Sequence, residues 1–198
     1  HKPDRRQRQM CIRDSMNTSS IGSINFSSLR GVAYNGEFFA LGETDNKNIY
    51  IWKGIPGLND EPDYIIQNPV GVGRIDMNEE WLVVSAYPGA GSPVHVIKLA
   101  NLDSGIMLSV PGNDDFPQGV SINEKGFFIA LQGSNKVVGW SSVQDALNGS
   151  SPTMSFGGTT NKTNSGTKMA STVHWDGFHL WVGEFKFSNR LLGFAPSK

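Results

Sequence analysis

The segment Thr-Val-His174-Trp-Asp176-Gly holds the two residue types that general acid–base chemistry uses most. Alternation along a strand puts His174 and Asp176 on one face, and a carboxylate that orients an imidazole makes a general base. Asp176-Gly177 is equally an ordinary turn, and His174 stands where related segments carry Tyr34, Ile75 and Ile122. His95 and His179 are isolated on apolar stretches, and Asp76 is a lone carboxylate among Val, Ala, Ser and Ile. Glu43 with Asp45, and Asp114 with Asp115, offer oxygen ligands for weak Ca²⁺ binding but lack the spacing of a calcium loop. No other cofactor is expected. Gly-x-Ser-x-Gly, His-Glu-x-x-His and Walker signatures are absent, so no catalytic residue is assigned.

A second set of polar residues recurs by position. Arg30, Gln118 and Ser171 each stand directly before a short apolar segment, and Arg74 (or its neighbour Gly73) does so in a fourth place. If such places converge, guanidinium and amide groups there hold an anionic or sugar-like ligand through directed hydrogen bonds. If they do not, these are solvated turn residues.

Composition narrows what can position them. The chain has 198 residues, enough for one domain with a real core, and is 38% hydrophobic and only 18% charged, with 23 Gly and 11 Phe. That balance suits an all-β chain with many turns; the 3.6-residue rhythm of a helical bundle is missing. The first fifteen residues stand apart: five are basic, and they contain the lone Cys11. Their string Gln-Met-Cys-Ile-Arg-Asp-Ser resembles translated sequencing adapter, so the natural sequence is expected to begin near Met16. Without them the net charge falls from −1 to −4. A mildly acidic body with no basic stripe argues against nucleic acid. No apolar run reaches the ~18 residues of a membrane helix.

The organising feature is an internal repeat. Segments starting at Gly31, Gly73, Gly119 and Thr172 align, with spacings of 42, 46 and 53 residues. Each begins with a short strand (GVAY, RIDM, GVSI, TVHW) that ends in an Asn- or Asp-containing turn. A continuous apolar strand follows (FFALG, WLVVSA, FFIAL, HLWVG), which requires cover on both faces. A third strand alternates in period two (NIYIW, VHVIK, KVVGW, RLLGF), its last residue, as in Trp52, Trp140 and Phe194, expected between units. After a connector comes an outer strand: DYIIQ, GIMLSV or TMSFG. In the third copy, SSVQDALNG is expected to form a helical turn capped by Ser141. The segment IGSINF, 21–26, reads as an orphan outer strand.

Four-stranded units at periods of roughly 40–50 residues mean blades of a β-propeller. The expected blades are 29–68, 69–111, 116–158 and 169–198. The pattern Asn-Lys/Arg-aliphatic-aliphatic-x-Trp followed by a Pro/Asn connector, as in NIYIWKGIPGLNDEPDYIIQ, resembles NHL-repeat propellers, in a bacterial form reading "NRVLIW…P…VLGQ". The resemblance covers the chain from about residue 21 onward, with SPVHVIKL in the second copy departing from it. It implies a six-bladed ring of which four blades are present, the other reading being a small ring that shares one blade between its ends. It further implies a non-enzymatic platform for a protein or for a small-molecule or carbohydrate ligand, in an exported bacterial protein. The alternatives it carries are a metal-dependent lactonase- or hydroxyglycine-lyase-like enzyme and a structural module of a larger surface protein. In this architecture the loops before each first strand meet at the channel mouth, so Arg30, Arg74, Gln118 and Ser171 become the candidate binding residues, with His174 and Asp176 beside them.

Overall fold

The computed structural model describes residues 20–87, 93–110, 116–158, 166–185 and 190–195. A short hairpin, β1 (Ser20–Ile21) and β2 (Ile24–Asn25), precedes four antiparallel sheets. Sheet one is β3 (Leu29–Tyr34), β4 (Phe38–Glu43), β5 (Asn48–Lys53) and β6 (Tyr64–Gln67). Sheet two is β7 (Val72–Met77), β8 (Trp81–Ala86), β9 (Val94–Lys98) and β10 (Asn101–Leu108). Sheet three is β11 (Pro117–Asn123), β12 (Gly126–Leu131), β13 (Lys136–Trp140) and, after helix α1 (Val143–Leu147), β14 (Met154–Gly157). Sheet four is β15 (Ala170–Trp175), β16 (Leu180–Glu184) and β17 (Leu191–Phe194). Each sheet is a meander in chain order, and the innermost strands β3, β7, β11 and β15 pack on one another in succession. This is a β-propeller, as the repeat requires.

Blade-to-blade packing makes the core. Ile49, Ile51 and Ala40 of blade one meet Ile75, Leu82 and Ile97 of blade two. Val83 and Val96 of blade two meet Phe127, Ile129 and Trp140 of blade three, and Phe128 and Val137 of blade three meet Val173 and Val182 of blade four. Cover on both faces explains why every residue of β8 and β12 is buried, whereas β16 alternates between buried and half-buried. Gly31 of β3 and Gly119 of β11 allow this approach near the axis. A Cβ on Gly119 would come within 2.8 Å of Thr172 Cα, in the next blade.

The turn between first and second strands is the same device four times. Asn35, Asn78, Asn123 and Asp176 each accept, on one side-chain oxygen, the N–H groups two and three residues on. These Asx turns close all four hairpins at the same offset from the Asn or Asp.

In this architecture the structure departs from the sequence expectations in three places: residues 21–26, Trp52 and the helix cap. Residues 21–26 do not supply an outer strand to any sheet: they fold into the β1–β2 hairpin and the turn after it. Ile21, Ile24 and Phe26 lie on Leu41, Tyr50 and Trp52, the face of blade one turned away from blade two. That apolar face offers more burial than an edge strand would. Trp52 therefore packs under this hairpin, while Trp140 and Phe194 do sit between blades. The helix cap is Ser142, one residue later than expected, because its hydroxyl reaches Asp145 N at 3.1 Å.

Candidate functional site

A register shift interrupts the pairing of every innermost strand with its neighbour, at the same place in each blade. It falls between Leu29 and Gly31, Val72 and Ile75, Pro117 and Gly119, and Ala170 and Thr172. The extra residues are Arg30, Gly73 with Arg74, Gln118, and Ser171. A β-bulge leaves its residue out of the ladder and re-aims the side chain. Here the bulges turn Arg30, Arg74, Gln118 and Ser171 into one cavity of about 280 Å³. Sequence alignment set Gly73 opposite Gly31. The register sets Arg74 there instead, because the bulge in β7 takes up two residues.

A second tier of this mouth has no counterpart in the sequence expectations. The residue after each second strand (Thr44, Tyr87, Gln132, Phe185) gives its N–H to the carbonyl two residues before the bulge, on Ser28, Gly71, Phe116 and Met169. Tyr87, Gln132 and Phe185 then line the cavity together with Phe116. In blade one the corresponding Thr44 turns away to donate to Val72 O at 2.7 Å. The available signal was positional: these residues follow the apolar second strand by the same interval in each copy.

Both arginines are held without spending their charge. The Arg30 guanidinium lies 3.6 Å from the centre of the Tyr87 ring, an arrangement that occupies its face and leaves its N–H edge free. Arg74 Nη1 donates to Arg30 O at 3.1 Å. Among the described residues no carboxylate pairs with either guanidinium. The other end of the channel, at the Asx turns, has the opposite character. Glu79, Glu80 and Glu124 line a cavity of about 620 Å³ there with Asn35, Asn78 and Asn123.

His174 and Asp176 are not brought together as an acid–base pair. Asp176 sits in the Asx turn, and its second oxygen accepts Trp181 Nε1 at 2.7 Å; these bonds hold its pKa far below the usual carboxylate range. His174 lines the mid-channel with Asp76, Val32, Tyr34 and Thr172. Asp76 accepts Ile122 N at 2.9 Å and Met77 N at 3.0 Å. Burial raises its pKa; those bonds, the Ser121 hydroxyl and nearby His174 oppose the rise. Glu43 is fully buried and its oxygens are taken by Ser27, Asn46 and Tyr50, so its carboxylate faces inward instead of outward toward a cation. Asp45 receives the Ser27 hydroxyl at 3.3 Å, while Asp114 and Asp115 lie outside the described residues. Among the described residues no three His, Cys, Asp or Glu side chains gather as metal ligands, and no helix is long and apolar enough to cross a membrane.

No protein-family model matches the chain, and no curated protein matches it in sequence. Solved structures resemble it in fold. The computationally designed Ika4 protein shares 10% identity at a TM-score of 0.58, over 91% of this chain and 99% of that one. The β-propeller domain of Myceliophteria thermophila Cps50 (Swd1) shares 9% at 0.60, over 83% of this chain and 51% of that domain. A chain of a nidogen/laminin complex shares 12% at 0.61, over 86% and 65%. The chain thus spans about half the length of the Cps50 domain. At these identities the likeness concerns the β-propeller fold alone.

Proposed function

We propose that this chain is an NHL-like propeller serving as a binding platform, with a small anionic ligand seated at the mouth formed by Arg30, Arg74, Gln118 and Ser171. The observation that carries this reading is the set of bulges. One irregularity at one place in each blade aims polar side chains into a common cavity, where two guanidiniums have no carboxylate partner among the described residues. Both guanidiniums are exposed at the mouth and bound to no carboxylate there, so an anionic ligand gains charge-assisted hydrogen bonds without displacing an ion pair. The third strands NIYIW and KVVGW support the NHL-like assignment, as does the bond from each Trp indole to its connector, to Asp60 O and Ser150 O.

The test is an amide NMR titration with acetate, sulfate and phosphate in turn. Saturable shifts centred on Arg30, Arg74, Gln118 and Ser171, lost in Arg30→Ala/Arg74→Ala, are expected. Absence of any mouth shift at millimolar anion, or shifts spread over the surface and unaffected by the double variant, would overturn the proposal.

A further inference from the structure

We infer that the ligand of this mouth is an acidic sugar, a uronate unit whose carboxylate meets the arginines and whose hydroxyls meet the two glutamines and the serine. The inference rests on the binding-platform reading above and adds the chemical class of the occupant.

The lining has three chemically distinct parts. Arg30 and Arg74 supply fixed forks of N–H donors, which match a planar carboxylate in two-point contact. Gln118, Gln132 and Ser171 each both donate and accept. Phe116 and Phe185 add apolar ring surface beside them. Tyr87 contributes less of this, since the Arg30 guanidinium lies over its ring.

Each simpler ligand leaves one part unmatched. Inorganic phosphate or sulfate satisfies the arginines but presents chiefly acceptors to the glutamine carbonyls. An apolar aromatic acid satisfies arginines and phenylalanines but covers the Gln118 and Gln132 amides without hydrogen bonds, at about 1–3 kcal/mol for each group buried unpaired; the Ser171 hydroxyl keeps its bond to Gly183 O at 3.3 Å. A neutral hexose serves the amides and hydroxyl but leaves two guanidiniums facing no charge. A pyranose carboxylate offers all three: an anionic fork, hydroxyls that donate and accept, and C–H faces for aromatic rings. The volume agrees. A cavity of about 280 Å³ is at the lower limit of drug-sized pockets, ~300–1,000 Å³, and suits one ring with its substituents.

The experiment is calorimetric and NMR titration of the whole chain with glucuronate, galacturonate, glucose, benzoate and phosphate, together with trigalacturonate. At least one uronate is expected to bind at the mouth about tenfold or more tighter than glucose, benzoate and phosphate, a difference worth about one hydrogen-bonded charge. Arg74→Lys, which keeps the charge but loses the fork, is expected to weaken uronate binding about tenfold. Gln118→Leu and Gln132→Leu are expected to weaken uronate and spare benzoate. Tighter binding of trigalacturonate than of the monomer assigns a polysaccharide end as the source, and equal binding assigns the free sugar acid. If benzoate or phosphate binds at the mouth as tightly as the uronates, or the glutamine variants leave uronate affinity unchanged, the acidic-sugar inference falls and the anion platform stands. If no probe perturbs the mouth while circular dichroism shows the chain folded, both readings fall.

Discussion

Glu43 provides the sharpest test of how blade one is held together. Its carboxylate is fully buried, and it accepts Ser27 N and Ser27 Oγ at 2.8 Å each, Asn46 Nδ2 at 3.1 Å and Tyr50 Oη at 3.1 Å. Replacement by Leu keeps volume but removes every acceptor. Asn46 and Ser27 are exposed and water replaces most of what they lose. Tyr50 is buried, and its hydroxyl proton is left without an acceptor. An orphaned buried donor costs about 1–3 kcal/mol, so with the Ser27 tether gone Glu43→Leu is expected to cost about 2–4 kcal/mol. At this chain length that lowers Tm by roughly 5–15 °C. Glu43→Leu/Tyr50→Phe removes the orphan and is expected to recover about 1–2 kcal/mol in a double-mutant cycle read by urea denaturation. The acid limb supplies a second readout. Burial alone would raise the Glu43 pKa; the bonds from Ser27, Asn46 and Tyr50 outweigh it and leave the value lowered. A carboxyl lowered on folding contributes stability above its unfolded value, near ~4.3, and loses it as pH falls through the folded value. Glu43→Leu should therefore flatten stability against pH below about 4. A Glu43→Leu cost under about 0.5 kcal/mol, the range of ordinary surface changes, or a double variant no better than the single one, would refute the reasoning.

Three further outcomes follow from particular contacts. Asn123→Asp should be nearly neutral in denaturant melts, because Asp176 performs the same turn in blade four, whereas Asn35→Asp should cost about 1 kcal/mol through loss of the Asn35 Nδ2 bond to Asn78 O. Gly105→Ala places a Cβ against the His95 ring and should destabilise by about 1–3 kcal/mol, with part of the loss relieved in Gly105→Ala/His95→Ala. His95 is buried with Nδ1 2.6 Å from Asn68 Oδ1, and burial lowers its pKa. The folded state then binds fewer protons than the unfolded one just below pH ~6.5, so stability should fall as pH drops through that value, and less so in His95→Gln.

What the sequence made legible is local chemistry repeated in register. Asn35, Asn78, Asn123 and Asp176 announce hairpins by their own hydrogen-bonding capacity, and the continuous second strands announce cover on both faces. Register at the bulges is a different matter. A bulge is fixed by pairing with the neighbouring strand, so nothing within Val72-Gly73-Arg74-Ile75 tells whether one or two residues leave the ladder. Arg74 therefore moved by one place while Arg30, Gln118 and Ser171 did not. The second tier of the mouth was hidden for a related reason: Tyr87, Gln132 and Phe185 share a backbone bond and differ in every side-chain property. The β1–β2 hairpin was illegible because two-residue strands carry no period, and only the apolar face of Leu41, Tyr50 and Trp52 gives Ile21 and Ile24 a reason to turn back.

The junctions between blades bear on how His174 is to be understood. By register, Ala33, Asp76, Ser121 and His174 occupy one equivalent place on the innermost strands, which corrects the sequence alignment of His174 with Tyr34, Ile75 and Ile122, each one residue away from it. Asp76 uses that place to accept Ile122 N of blade three, and the Ser121 hydroxyl uses it to accept Trp175 N of blade four at 3.3 Å. Ala33 has no such group, and there Asn35 and Thr44 join blade one to blade two through Asn78 O and Val72 O. Polar identity at this place thus varies because each junction solves the same problem, a strand N–H beside the channel, with a different residue. His174 holds that place on blade four, where its side chain is exposed, and its spacing from Asp176 reflects the turn that ends every innermost strand. The chemistry that departs from the repeat's structural needs lies one bulge away, in guanidiniums whose charge no carboxylate among the described residues neutralises.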